Sequence, residues 1–304
     1  MGTILRAAAI IFFASVPAAA WGAKGHEMTA RVAVRALPPD MPEFFRQAVV
    51  ELGYLCPEPD RWRDAKREPA LRGLADRDHV VQLEHITQPL PPNRYEFLLQ
   101  FAGKLKPSGA TFGYAEVGFA PYAIAELSEM LANNFMWWRR AKDSTDAERR
   151  IKRQIEQNIL HIAGLLSHFV TDTGQPLHTT FHVNGWSAQA PNPQGFVGKE
   201  IHRRFETDYV QAAIEEKDFE PLVGKRATVV GPWLDAAMSH IKRSFEHVDR
   251  TYLLDQQTPF GSGKESPEAR TFTCERLAFS AEALRDFWYS AWIRSADLAA
   301  HLRN

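Results

Sequence analysis

The feature that most constrains the fold of this chain is a long helical pattern between residues 146 and 172. Apolar residues recur there every three or four positions, so they share one stripe of an α-helix. A polar stripe lies about 80–100° away on the same helix and is suited to line an internal site. Gly174 and Pro176 are predicted to end the helix. The apolar stripe consists of Ile151, Ile155, Ile159, Ile162, Leu166 and Phe169, and the polar stripe of Gln154, His161, His168 and Asp172.

Similar periodicity recurs along most of the chain, whereas the alternation typical of β-strands is scarce. Proline, glycine and asparagine separate the periodic stretches, and no internal repeat or low-complexity linker divides the chain. We therefore predict an all-α fold, a single multi-helix domain over residues 21–304 with a functional cleft at helix ends and loops. The predicted helical stretches are 27–36, 41–52, 92–103, 117–142, 146–172, 199–216, 231–252 and 276–302.

The charge balance limits the partners of this protein. With 36 basic and 37 acidic residues, its formal net charge is -1. No overall basic field attracts nucleic acid or anionic lipid, so such a substrate must be held locally. Cys56 and Cys274 are the only cysteines, which excludes a disulfide framework and a cysteine-rich metal site. Whether these two cysteines form one disulfide stays open.

The first 20 residues have the pattern of a secretory signal peptide. Arg6 precedes an apolar run over residues 7–13, and small residues up to Ala20 precede Trp21. The run is too short for a good membrane span, and an uncleaved anchor is the alternative. Cleavage after Ala20 would make Trp21 the first residue of a secreted or periplasmic protein.

Two histidine–carboxylate pairs have the spacing of metal ligands on a helix. His168 with Asp172, and His202 with Glu206, are each four residues apart, so both side chains of a pair point the same way. Such short motifs arise by chance, and this composition gives about 1.3 of them. A surface salt bridge is therefore the ordinary alternative for either pair.

Further candidate ligands lie elsewhere in the chain. His178 follows the predicted helix end, Asp60 and His79 form a second cluster, and His26 comes five residues after Trp21. All of these side chains offer nitrogen or oxygen donors, which suit a hydrolytic Zn²⁺ ion that keeps one position open.

Trp21 at a predicted cleavage point, with His26 five residues later, resembles the zinc-dependent phospholipase C and single-strand-specific nuclease superfamily, and within it the S-one/P-one nuclease family. In that superfamily the amino nitrogen and carbonyl oxygen of an N-terminal tryptophan bind zinc. The resemblance covers residues 21 to about 209 and implies three Zn²⁺ ions. The implied ligands are Asp60, His79, His168 and Asp172 for one ion, Trp21 and His26 with bridging Asp172 for its neighbour, and His178, His202 and Glu206 for the third.

The same resemblance implies a secreted phosphodiesterase, with single-stranded DNA or RNA as the substrate favoured by the spacing of Trp21 and His26. No obligate protein partner is evident from the sequence. Asp60 is predicted to orient the attacking water, which is activated between two close zinc ions. Arg63 stands where the nuclease branch carries an arginine for the transition state, and its guanidinium fits phosphate oxygens. The alternative for Arg63 is a solvated helix arginine.

Several positions depart from the nuclease pattern. Val80 and Gln82 replace an aromatic residue that stacks on a base and an aspartate that binds the base edge, and stacking contributes roughly 1–3 kcal/mol per base. Gly174 replaces a frequent histidine, and Glu206 matches the phospholipase branch. A phospholipase C that acts on lipid headgroups is therefore the main alternative. A non-catalytic zinc-binding or helical interaction protein and a carboxylate-bridged di-iron bundle are further alternatives.

Overall fold

The computed structural model describes residues 21–63, 68–104, 116–188, 190–264 and 266–301, and every regular element within these ranges is helical. The predicted all-α class is confirmed. The predicted signal peptide occupies residues 1–20, which lie outside the described residues. Within the described ranges, no helix combines the length and the apolar character that a membrane crossing requires.

The helices are α1 (Gly22–Arg35), α2 (Glu43–Arg46), α3 (Val49–Leu55), α4 (Glu58–Arg63), α5 (Pro69–Asp78), α6 (Arg94–Phe101), α7 (Ala120–Arg140), α8 (Asp146–Gly174), α9 (Ile201–Arg203), α10 (Val210–Ala213), α11 (Glu216–Phe219), α12 (Trp233–Phe245), α13 (Val248–Gln257) and α14 (Pro267–His301). A π-helical turn (Arg204–Tyr209) joins α9 to α10. Short 3₁₀ turns cover Leu83–His85, Pro176–His178 and Glu220–Leu222.

The core lies between the three longest helices, α7, α8 and α14, with α12 packed on α7 and α1 packed on α3 and α14. Phe45, Phe135 and Trp288 are fully buried there, and their rings meet at centroid distances of 5.3 and 5.7 Å. Because large aromatic side chains bury much apolar area, this contact is a major stabilising element of the core. The indole N–H of Trp288 also donates to the carbonyl oxygen of Ala163 at 3.2 Å, which links this contact to α8, whose last turns carry two of the candidate ligands.

The predicted stripes of α8 are internal only in the second half of the helix. Before Ile159 every residue of α8 is exposed or half-buried, and Ile151 is 60% exposed. From Ala163 onward the helix is surrounded by other helices and nearly every residue is buried. His161, expected beside the metal site, is exposed, so this part of the prediction is wrong. The periodicity shows which residues share a face, but not where neighbouring helices begin to cover it.

The two ends of α8 follow the sequence signals closely. Thr145 and Glu148 form a capping box at the start, in which each side chain binds the other residue's backbone N–H. At the end, a Cβ added to Gly174 would lie 1.9 Å from the hydroxyl oxygen of Ser280 on α14. A histidine at position 174 would therefore collide with α14, which explains why glycine stands there.

Helix bounds differ from the predictions where local order depends on tertiary contacts. The stretch predicted as one helix over 231–252 is two helices, α12 and α13, and α14 begins at Pro267 instead of residue 276. The periodicity does not predict α4 and α5. Cys56 and Cys274 are both buried and both free, so they form no disulfide.

Candidate metal centre

Helix ends and turns from several parts of the chain bring the predicted ligands together. The last turns of α8 are central, and α1, α4, the residue after α5, the turn after α8 and the start of the α9 segment surround them. All eight side-chain ligands except that of Asp60 are at least 95% buried by residue area. The residues form three groups whose ligand atoms lie within 4.8 Å of one another: His26, His168 and Asp172; Asp60, His79 and His168; and His178, His202 and Glu206.

The first two groups share His168 and meet at Asp172, and we call them together the Asp172 pair. One carboxylate oxygen of Asp172 lies 3.2 Å from Nε2 of His26. The other lies 2.8 Å from Nδ1 of His79 and 3.2 Å from Nε2 of His168. Asp60 Oδ1 is 3.7 and 3.8 Å from the same two ring nitrogens of His79 and His168. Asp172 therefore faces both positions at once, as a bridging ligand must.

Several buried polar atoms of the Asp172 pair have no hydrogen-bond partner: His26 Nε2, Asp60 Oδ2, His79 Nε2 and Asp172 Oδ1. Buried polar atoms are normally paired, so such a concentration points to a ligand. Nδ1 of His168 donates to the carbonyl oxygen of Cys56 at 2.9 Å, which leaves a lone pair on Nε2 of the neutral ring. That lone pair points into the group formed with Asp60 and His79.

The third group, which we call the Glu206 cluster, consists of His178, His202 and Glu206. The two Nε2 atoms of the histidines are 3.0 Å apart. Glu206 Oε2 is 3.4 Å from Nε2 of His178 and 2.9 Å from Nε2 of His202. The π-helical turn contains Glu206, and such turns are frequent at functional sites.

The tautomers of His178 and His202 follow from the contacts of their Nδ1 atoms. Nδ1 of His178 lies 2.8 Å from the carbonyl oxygen of His79, and Nδ1 of His202 lies 3.1 Å from that of Val183. A carbonyl oxygen only accepts, so both Nδ1 atoms carry the hydrogen. Neutral rings then direct two lone pairs and one carboxylate oxygen at the same point. Three such acceptors repel one another unless a cation lies between them, either a metal ion or a proton on Nε2, and Asp172 and Glu206 raise the pKa of His178 against the effect of its burial.

Trp21 lies between the Asp172 pair and the Glu206 cluster. Its side chain is fully buried, its indole N–H donates to the carbonyl oxygen of Thr171 at 3.0 Å, and its ring packs on Phe205. Its backbone nitrogen lies 3.2 Å from Glu206 Oε2. The resemblance assigns this nitrogen to the ion held by His26 and Asp172, whereas its nearest candidate ligand here belongs to the Glu206 cluster.

The charges of these residues reinforce one another. Burial opposes ionisation of Asp172, but His168 and His178 hold its pKa well below the ordinary value. Burial likewise opposes ionisation of Glu206, and His202 and His178 lower its pKa. Both carboxylates are therefore ionised at neutral pH, as metal ligands must be. Burial lowers the pKa of His168 to about 4, so this imidazole is neutral and able to bind a cation.

Arg63 lies at the accessible edge of the Asp172 pair. Its guanidinium is 3.4 Å from Asp60 Oδ1 and 3.3 Å from Asp76 Oδ1, and its side chain is 20% exposed. Burial lowers the pKa of Arg63, but the carboxylates of Asp60 and Asp172 raise it by more. The structure thus places a permanent cation beside Asp60. Because its side chain is mostly buried, Arg63 is not the solvated helix arginine of the alternative interpretation.

Two residues that contact the metal centre are missing from the sequence-based prediction. Cys56 accepts the Nδ1 hydrogen of His168 through its carbonyl oxygen, and its sulfur lies 3.6 Å from Nδ1 of His26. Gln175 donates to Glu206 Oε2 at 2.9 Å. Neither residue belongs to a helical ligand pair. The one local signal was that Gln175 directly precedes Pro176, at the predicted helix end.

The positions that distinguish nucleases lie in an extended segment after His79. The carbonyl oxygen of Val80 accepts from the N–H of Ala120, and the N–H of Gln82 donates to the carbonyl oxygen of Val117. A Cβ added to Gly118 would lie 2.1 Å from the Val80 carbonyl oxygen, so the segments are in close contact. Val80 and Gln82 are both half-buried, and neither provides an aromatic face.

The chain was compared with known proteins and structures. No family model matches the sequence, and no curated protein matches it. The structure is similar to a crystal structure of Clostridium perfringens alpha-toxin isolated from avian strain SWCP, with a TM-score of 0.46 and 14% sequence identity. The likeness covers 90% of this chain and 65% of the alpha-toxin chain, so this chain spans less than two thirds of that protein. A likeness at this level carries no argument about function, which rests on the site itself.

Proposed function

We propose that this protein is an exported zinc-dependent phosphodiesterase whose mature chain begins at Trp21 and holds three Zn²⁺ ions. The observation that carries the proposal is the convergence of His178 Nε2, His202 Nε2 and Glu206 Oε2 at separations of 2.9–3.4 Å. In the neutral tautomers that the backbone carbonyl groups favour, all three atoms are acceptors. A buried cation is the simplest partner for such a set.

The donor set fits zinc. Its members are imidazole nitrogens and carboxylate oxygens, and five of their atoms are buried without a partner. Zn²⁺ accepts both kinds of ligand, and a set without cysteine is more typical of hydrolytic than of structural zinc sites. When bound, zinc supplies Lewis-acid polarisation of phosphate oxygens and lowers the pKa of water. The nine proposed ligands are Trp21, His26, Asp60, His79, His168, Asp172, His178, His202 and Glu206.

Protein residues at the accessible edge have defined tasks in phosphodiester hydrolysis. Asp60 has one carboxylate oxygen without a partner, and its side chain is 11% exposed, so it can accept a hydrogen bond from the attacking water and orient it. The guanidinium of Arg63, 3.4 Å from Asp60, can bind two non-bridging oxygens of the substrate phosphate. Its charge then offsets the negative charge that grows in the transition state.

We place a phospholipid headgroup first among the substrates. In the superfamily that the sequence resembles, nucleases hold a base with an aromatic residue and an aspartate at the positions of Val80 and Gln82. Here these positions provide neither group, and Glu206 is the carboxylate typical of the phospholipase branch. Single-stranded nucleic acid, predicted first from the sequence, is the second candidate, and the spacing of Trp21 and His26 favours it.

The test uses protein that begins at Trp21, is loaded with zinc and is assayed with and without a chelator. Bis(p-nitrophenyl) phosphate reports the reaction class, and phosphatidylcholine in mixed micelles and single-stranded DNA report the substrate. We expect chelator-sensitive hydrolysis of the simple diester and faster release of phosphocholine than of nucleotides. Faster cleavage of DNA would reverse the order of substrates. No hydrolysis of any of the three by protein that contains three zinc ions would reject the proposed function.

A further inference from the structure

A second concentration of unpaired polar atoms lies between α12 and α14, away from the proposed ligands. Nε and Nη1 of Arg276 on α14 are buried without a hydrogen-bond partner, and the residue is only 8% exposed. On α12, Nδ1 of His240 and the hydroxyl oxygen of Ser244 are also buried without a partner. The two atoms of Arg276 are donors, whereas Nδ1 of His240 is an acceptor, because Nε2 of this ring donates to the carbonyl oxygen of Val170 at 2.9 Å.

Two phenylalanine rings of α14 support the cations of this region. The guanidinium carbon of Arg276 is 4.9 Å from the ring centre of Phe279 and 5.9 Å from that of Phe272. Arg243 of α12 lies 4.7 Å from the Phe279 ring, on which His240 also stacks at 4.7 Å. The Phe279 ring contacts both guanidinium groups by cation–π interaction, but it does not neutralise their charge.

Arg276 differs from Arg285, which is also buried, and from the half-buried Arg204. Arg285, which is 3% exposed, has an ion pair with Asp286 and donates to the carbonyl oxygen of Gly224. Arg204 forms two hydrogen bonds with the carboxylate of Asp255. A buried charge without a partner destabilises a fold, and here the protein pairs such charges elsewhere. Arg276 therefore lacks the hydrogen-bonded carboxylate that Arg285 and Arg204 have.

Other neighbouring groups also make the electrostatic surroundings of Arg276 positive. Burial and the charge of Arg243 lower the pKa of Arg276 to about 10, while Glu275 opposes this. Burial lowers the pKa of His240 to about 4, and Arg243 contributes. Arg250, whose guanidinium lies 5.9 Å from the Phe272 ring, is already paired with Glu268. The local field thus favours an anion and disfavours another cation.

We propose that the boundary of α12 and α14 at Arg276 binds a small tetrahedral oxyanion, either inorganic phosphate or the phosphate of a monoester. The fork of Arg276 supplies the buried donors, and Arg243, which is exposed on α12, closes over the anion from the solvent side. The site is independent of the proposed phosphodiesterase centre.

The probes are inorganic phosphate and glycerol phosphate, titrated calorimetrically into zinc-loaded protein. The comparison of Arg276→Met with wild type isolates this site, because any phosphate bound at the zinc centre persists in the variant. We expect Arg276→Met to lose the second binding event, with an affinity reduced at least about tenfold, and Arg243→Gln to weaken it about two- to fivefold. Lys242→Gln is the matched control, since Lys242 neighbours Arg243 but lines a different groove with Leu83 and Met238.

Thermal unfolding gives an independent measurement. Without phosphate, Arg276→Met should raise the melting temperature, because it removes an unpaired buried charge, and phosphate should no longer stabilise the variant through this site. Anomalous scattering from tungstate in crystals of the wild type should locate the anion beside Arg276. Identical phosphate titrations for wild type, Arg276→Met and Arg243→Gln would overturn the proposal. Tungstate at Arg276 only at concentrations far above those of the titration would mean an adventitious ion only, and it would overturn the proposal as well.

Discussion

The Asp172 pair and the Glu206 cluster hold similar ligands in two different ways. In the Asp172 pair, one carboxylate faces three imidazoles, and its two oxygens lie 2.8–3.2 Å from ring nitrogens of His26, His79 and His168. In the Glu206 cluster, a single oxygen of Glu206 faces both imidazoles, and the other oxygen has no partner. The first region is built around a shared ligand, and the second is self-contained.

The helices and turns that carry the ligands also differ between the two regions. The Asp172 pair draws its ligands from α1, α4, α8 and the end of α5, so several separate helices must be placed correctly at once. The Glu206 cluster draws on one 3₁₀ turn and on the α9 segment with its π-helical turn. A change in the pair should therefore affect two ions together, whereas a change in the cluster should affect one.

The largest effect is expected for Asp172→Asn. The neutral amide removes the bridging charge, so we expect loss of two of three zinc equivalents and a fall in diester hydrolysis of about a thousandfold or more. Metal analysis and the bis(p-nitrophenyl) phosphate assay measure these changes. Asp78→Asn is the control, because Asp78 is a buried carboxylate that pairs with Arg94 instead. Three retained equivalents in Asp172→Asn would refute the shared ligand.

His202→Ala should have a smaller and more local effect. Loss of one imidazole from the Glu206 cluster should remove a single zinc ion and leave two, with a fall in activity of about a hundredfold. The same metal analysis applies, with His301→Ala as a control because His301 is exposed on α14. If His202→Ala also emptied the Asp172 pair, the two regions would not be separable.

Gln175→Leu tests the support of the Glu206 cluster. Its amide donates to Glu206 Oε2, and its side-chain oxygen accepts from the N–H of Leu177. Loss of both contacts should weaken binding of the third ion by about ten- to a hundredfold and leave the other two unchanged. Competition with a zinc chelator measures the affinities, and Gln154→Leu, on the exposed part of α8, serves as the control. Equal weakening at all three ions would indicate a general structural defect instead.

Cys56→Ala should have the smallest effect, and it should act on the Asp172 pair. The sulfur lies 3.6 Å from Nδ1 of His26 and is a weak acceptor, so its loss should reduce the affinity of the Asp172 pair by only about two- to tenfold. Cys56→Ser should recover part of this affinity in the same chelator assay, because its oxygen can accept. Cys274→Ser is the matched control, since Cys274 is also buried and free. No difference between Cys56→Ala and Cys274→Ser would show that Cys56 does not orient His26.

Local sequence patterns predict much of the fold. The start of α8 at Asp146 and its end at Gly174 lie where the sequence predicts them, because helix capping and termination depend on residues a few positions apart. The failures are of another kind. His161 shares the predicted polar stripe of α8 but is exposed, since α8 reaches beyond its neighbours at that point. Neither Cys56 nor Gln175 could be found, because their contacts link distant parts of the chain.

The sequence by itself determined the all-α class and the two histidine–carboxylate pairs, because four-residue spacing places side chains together on any helix. Only the tertiary structure decided that His178 and His202 direct lone pairs at one point, since backbone carbonyl groups of other segments fix their tautomers. It also decided that the Trp21 nitrogen reaches Glu206, across a separation of 185 residues. Contacts over such distances depend on how the helices pack, and no local pattern encodes that packing.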